Sequence, residues 1–157
     1  AVKLMIDASQ DKVDSLADLP EYASIANGLS DLHVYQAMVG DESLVNGDPE
    51  YTGTYPGPRL KKFVSFGMGF GRDEKGIFTA VVLYHESADD AEMNVSLLEE
   101  RIANTTSAQI KKPWTEIITD TWIDVEGNVL LAKLYSDFTG IWYLPYTYDT
   151  LLLHEQE

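Results

Sequence analysis

The sequence predicts an α+β fold: a mainly antiparallel sheet with two helices on one face, ferredoxin-like with an extra hairpin. Three observations predict it. Two hairpins are signalled by alternating apolar runs on either side of the turn residues Arg72-Asp73-Glu74-Lys75-Gly76 and Glu126-Gly127-Asn128. Two other segments, opening at Pro20 and at Ser87, repeat apolar residues at helical spacing and so carry one buried stripe each. Helices and strands alternate as β-α-β-(loop)-β-β-α-β-β, and helices with a single stripe are satisfied by a single sheet face. The length, 157 residues, is that of one globular domain.

The elements follow in order. Val2 to Ile6 is a short apolar run ahead of Asp7-Ala8-Ser9 and reads as a first strand. Asp11 to Ala17 carries Val13 and Leu16 three apart and reads as a helical turn. Pro20 opens a helix, a position where its missing N–H costs nothing. Tyr22, Ile25, Ala26 and Leu29 form its stripe, and Gly28 suits its termination. Leu32 to Val39 is apolar on both alternating faces and is expected as a central strand. Gly40 to Arg59 holds four glycines and three prolines without periodicity, a long loop of the kind that usually carries function. Leu60 to Gly71 is a strand with Phe63, Ser65, Gly67, Gly69 and Gly71 on one face, and Ile77 to His85 returns as its partner. Ser87 caps a helix whose first turn is acidic. Its stripe is Ala91, Val95, Leu98 and Ile102, with Glu99, Glu100 and Arg101 turned to water and an end near Asn104. Trp114 to Val125 and Val129 to Tyr135 make the second hairpin, and the aromatic run Gly140 to Leu153 is placed as an edge strand.

Composition narrows the function. Acidic residues outnumber basic ones 26 to 11, for a net charge of −15. Nucleic acid is excluded as a partner because nothing clusters Lys and Arg against phosphates. No run approaches the length of a membrane span, so direct insertion in a membrane is not expected. There is no cysteine, which removes disulfide frameworks and thiolate metal sites. Scarce arginine (Arg59, Arg72, Arg101) and plentiful tyrosine lean towards an extracytoplasmic chain, secreted or anchored at a cell envelope. The opening Leu16-Ala17-Asp18-Leu19-Pro20-Glu21-Tyr22 resembles helix openings in uncharacterised bacterial envelope proteins, over too few residues to carry a fold or an activity across.

Several residue patterns point to chemistry. Gly67-Met68-Gly69-Phe70-Gly71 lacks dinucleotide spacing and lies within a strand, so its glycines are read as space for a close neighbour. His33, His85 and His154 are solitary, and no metal site and no cofactor are assigned. Asp41, Asn46, Asp48 and Glu50 offer oxygens but lack EF-hand spacing, and read as a solvated acidic loop. Asp120 and Asp124 flank Trp122 on one strand face and could serve a carboxylate hydrolase. Asn94-Val95-Ser96 and Asn104-Thr105-Thr106 match the N-glycosylation pattern, although both fall on or at the end of a helix. The most informative pattern is aromatic. Tyr51, Tyr55, Trp142, Tyr143, Tyr146 and Tyr148 cluster with Pro and Gly, and such rings give large contact area at low entropic cost. The leading expectation is a non-enzymatic domain that binds a protein, peptide or glycan partner through these segments. Behind it stand a small-ligand carrier, with a pocket between sheet and long loop, and the carboxylate hydrolase.

Overall fold

A computed structural model describes residues 18–42, 45, 58–107, 110–137 and 151–155. The expected strand at residues 2–6 and the turn at 11–17 lie outside the described residues. Among the described residues the order is α1 (Pro20–Asp31), β1 (Val34–Asp41), β2 (Ser65–Arg72), β3 (Ile77–Tyr84), α2 (Ala88–Asn104), the single turn α3 (Trp114–Ile117), β4 (Asp120–Glu126) and β5 (Val129–Tyr135). The five strands form one antiparallel sheet in the order β1-β2-β3-β5-β4. The α+β class and the antiparallel sheet are as the sequence predicts. One split β-α-β unit is present, β3–α2–β4 with β5 inserted between its strands. The second unit that a ferredoxin-like arrangement needs would begin at residues 2–6, outside the described residues.

The helices do not share a face. Ile25 and Leu29 of α1 pack on Phe78, Ala80, Val82, Leu131 and Tyr135. Leu98 and Ile102 of α2 pack on Phe66, Met68, Val81, Leu83, Leu130, Ala132 and Leu134, which point the other way. The reason lies in β3 and β5, which are apolar on both faces. A one-sided cover would leave Val82 and Leu131 in water at about 1.5–3 kcal/mol each, so each face takes a helix.

Local chemistry sets the elements. In α1, Pro20 sits at the first position and Glu21 in the first turn, with no side-chain cap. Gly28 does not end this helix, which runs on to Asp31. It marks the helix's closest approach to the sheet: a Cβ there would lie 2.8 Å from Leu131 Cδ2 and 3.0 Å from Val82 Cγ1. In α2 the Ser87 hydroxyl accepts from Asp90 N at 3.1 Å and donates to Asp90 Oδ2 at 2.6 Å, closing the expected cap. Trp114 begins a helical turn after Pro113 instead of a strand, and is fully buried. The β4–β5 turn uses Gly127 at φ 62°, where a side chain would be strained.

β1 corrects another expectation. Among the described strands it lies at the edge of the sheet, and residues 35 to 39 are all exposed. Apolar residues on both faces signal burial only where both faces are covered, and here they are not.

Candidate functional site

The six aromatic residues singled out as partner-binding, Tyr51, Tyr55, Trp142, Tyr143, Tyr146 and Tyr148, lie outside the described residues. So do Asn46, Asp48 and Glu50 of the acidic loop. The residues that anchor the two aromatic segments are described, and they converge. Arg101, on the buried side of α2, donates from Nε to the Leu151 carbonyl at 2.8 Å. A terminal guanidinium nitrogen donates to the Pro58 carbonyl. One side chain thus holds Pro58, near the end of the Gly/Pro-rich segment, and Leu151, near the end of the aromatic run. The join continues outward. Leu60 N donates to Leu153 O at 3.0 Å and Glu155 N to Leu60 O at 2.8 Å, making a parallel bridge between Leu60 and His154. The Lys61 ammonium meets the Glu155 carboxylate at 2.8 Å.

Arg101 overturns its sequence reading as a water-facing residue. It is fully buried. Asn94 is a second polar residue that the sequence reading left out of the buried stripe, and with Arg101 it falls at helical spacing among Ala91, Leu98 and Ile102. A buried guanidinium costs several kcal/mol unless its donors are matched, and main-chain carbonyls supply that match here.

His85 and Asn94 form a second buried cluster. Asn94 Oδ1 accepts from Lys61 N at 2.6 Å while Nδ2 donates to Lys61 O at 3.1 Å, which fixes the amide's orientation. Nδ2 also donates to His85 Nε2 at 2.7 Å. His85 Nδ1 therefore carries the ring proton and donates to Asn128 O at 3.2 Å. Burial pushes the His85 pKa below its ordinary 6.5, so the ring is neutral. This is a histidine holding a strand end and a helix together. It also settles one glycosylation pattern, because the Asn94 amide is buried and fully engaged.

His154 is buried as well. Its ring packs 4.5 Å from the Phe63 ring, and Nε2 lies 3.7 Å from Glu42 Oε2. Burial outweighs the Glu42 charge and lowers the His154 pKa, so the contact is not an ion pair at neutral pH.

The carboxylates proposed for hydrolysis lie on the outer edge strand. Asp120 and Asp124 are exposed, and each accepts from the next backbone N–H, Thr121 N at 2.8 Å and Val125 N at 2.9 Å. The hydrogen bond from Lys75, at 2.8 Å, holds the Asp120 carboxyl below its ordinary range, the opposite of what a general acid needs. Nearby, Asp73 Oδ2 accepts from Lys133 Nζ and from the Tyr135 hydroxyl, each at 2.8 Å. The Lys133 bond holds Asp73 down to about 2, and burial together with Asp73 pushes Tyr135 up to about 12. These groups satisfy one another as a brace across the strand ends.

The glycine face of β2 lacks the room that a carrier needs. A Cβ at Gly67 would lie 2.4 Å from Ile25 Cγ2, one at Gly69 2.8 Å from Gln36 O, and one at Gly71 2.3 Å from the Phe78 ring. Helix α1, strand β1 and Phe78 fill the space, as the reading of these glycines as close-approach positions expects. Among the described residues no group of three His, Asp or Glu side chains is arranged to hold a metal ion, and no helix is long and apolar enough to cross a membrane.

Comparisons with family models, with curated proteins and with solved structures find no match for this chain.

Proposed function

We propose that the chain is a non-enzymatic, extracytoplasmic binding domain that recognises a protein, peptide or glycan partner with its two aromatic segments acting as one surface. The observation that supports the reading is the Arg101 clamp. Pro58, next to the segment bearing Tyr51 and Tyr55, and Leu151, next to the segment bearing Trp142 to Tyr148, both accept from a single guanidinium. Aromatic residues within reach of one anchor can contribute to one patch, and clustered Tyr and Trp dominate such patches energetically. Among the described residues, His85 and Asp120 are engaged in structural contacts, which turns attention to the aromatic segments. The test uses the full chain as bait in an envelope extract. Wild type is compared with a variant carrying Tyr51→Ala, Tyr55→Ala, Trp142→Ala and Tyr146→Ala, after circular dichroism has matched the two. Loss of the captured partner supports the reading, and capture of every partner by the variant ends it.

A further inference from the structure

We infer that His154 is an acid-sensitive latch: on taking up a proton it opens the junction that ties the ends of the Gly/Pro-rich segment to the end of the aromatic run. On the binding reading above, this makes the presentation of the aromatic segments sensitive to acid. The opening itself does not depend on that reading.

Three stretches of chain meet at this one ring. Glu42 closes β1 near the start of the Gly/Pro-rich segment, Arg59 and Leu60 stand at its end, and His154 follows the aromatic run. The His154 side chain is 1% exposed and packs on Phe63, with Glu42 Oε2 3.7 Å from its Nε2. His154 Nδ1 and Glu42 Oε2 are both buried atoms without a hydrogen-bond partner. Leaving such an atom unmatched costs about 1–3 kcal/mol, a cost that water relieves when the junction opens.

The surrounding charges give the direction. Among the described residues, Glu42 faces the ring from β1, and Lys62 and Arg59 face it from the chain that leads into β2. His85 lies across Phe63, 6.4 Å from that ring. Lys62 Nζ is 3.8 Å from the same Glu42 oxygen, so the carboxylate is shared, and Arg59 donates to the His154 carbonyl at 3.4 Å. An imidazolium formed in place would meet two cations and one shared anion within apolar packing. Burial accordingly holds the ring below its ordinary 6.5. Once opened to water the ring titrates in its ordinary range. Below that value the open junction binds a proton that the closed one refuses, so acid favours opening.

The closed form is held lightly. Beyond the core residues Leu151 and Leu152, the bridge has two main-chain hydrogen bonds, Leu60 N to Leu153 O and Glu155 N to Leu60 O. The Lys61–Glu155 ion pair that completes it is exposed to water. Attachments of this kind open locally, at less free energy than the whole fold. The Arg101 bonds to residues 58 and 151 lie deeper and contain no group that titrates in this range, so they persist while the outer bridge opens.

Hydrogen exchange followed by NMR on the full chain reads the opening at the Leu60 and Glu155 amides, the donors of the two bridging bonds. At pH 7.5 these two should be less protected than the amides of β3. Between pH 7.5 and 5.5, after correction for intrinsic rates, their protection should fall about three- to tenfold, since one histidine of ordinary pKa supplies about tenfold at most over that interval. In His154→Gln that fall should vanish, while the His85 amide, bonded to Asn128 O, keeps its own response. Glu42→Gln keeps the shape of the side chain and removes its charge, and should move the His154 titration midpoint further down. Protection at Leu60 and Glu155 equal to that of β3 would mean that the junction opens only with the whole fold, and overturns the inference. No fall on acidification, the same fall in His154→Gln, or a His154 midpoint unmoved by Glu42→Gln overturns it as well.

Discussion

Replacing Gly67 by alanine tests the claim that α1 sits directly on the backbone of β2. The new Cβ would lie 2.4 Å from Ile25 Cγ2 and 2.8 Å from Leu29 Cδ1. Carbon atoms rest about 3.5–4.0 Å apart, so the isoleucine must retreat by roughly 1 Å. Leu29 Cδ1 is the end of a flexible side chain and can swing away. Ile25 Cγ2 is fixed to a β-branched carbon on a helix, where one rotamer dominates, so it moves only with the backbone. Overpacking of this kind costs about 1–3 kcal/mol. Removing a strand glycine returns about 0.5–1 kcal/mol of backbone entropy. The net loss is then about 1–2 kcal/mol, and the melting temperature of a domain this size should fall by roughly 2–8 °C. Urea unfolding followed through the buried Trp114 fluorescence measures it. The decisive version is a double-mutant cycle. Ile25→Ala alone should cost about 2–4 kcal/mol by leaving a cavity, yet it removes the atom that Gly67→Ala would strike. In that background Gly67→Ala should be neutral or stabilising, a coupling of about 1 kcal/mol or more. Additivity within about 0.5 kcal/mol, or a neutral single variant, would show that the helix does not rest on this glycine.

Acid should weaken the fold in two windows. His85 and His154 are held below their ordinary 6.5, so the unfolded chain takes up protons first and stability declines as the pH falls below that value. Asp73 is held at about 2 against an ordinary 3.8, so its contribution is present above 3.8 and is lost between the two values. Urea midpoints measured from pH 8 to 3 should be level above pH about 7 and fall below it, and a midpoint unchanged between pH 7 and 5 would contradict the histidine assignments. Asn94→Ala should cost about 2–3 kcal/mol by stranding Lys61 N, Lys61 O and His85 Nε2. It should also raise the His85 titration midpoint in NMR, because Nε2 loses the donor that occupies its lone pair and opposes its protonation. An unchanged midpoint would remove Asn94 from that role.

Sequence patterning located the elements whose signals are local. The Ser87 cap with its acidic first turn, the two hairpin turns and the glycine face of β2 were legible because each depends on residues a few positions apart. What escaped depended on tertiary context. Arg101 and Asn94 look like surface residues of an amphipathic helix until the carbonyls of Pro58, Lys61 and Leu151 arrive to match them. The exposed edge of β1 reads as core because its residues are apolar on both faces. The opposed helices follow from β3, whose two apolar faces are visible in Ile77 to Tyr84 only once the strand is known to be central. Trp114 joins a helical turn because it follows Pro113 and fills the core beneath α2, a packing outcome that alternation cannot reveal.

The acceptors on Arg101 at residues 58 and 151 are main-chain carbonyls, which every amino acid has. At those two positions the clamp does not depend on the side chain it grips. Residues 58 and 151, and the segments that lead to them, can change identity without removing an anchor. On the proposed binding reading, mutation can then reshape what the aromatic segments recognise while the framework's stability stays with α2 and the sheet. A new specificity could be installed by exchanging those segments whole, as cassettes between fixed posts.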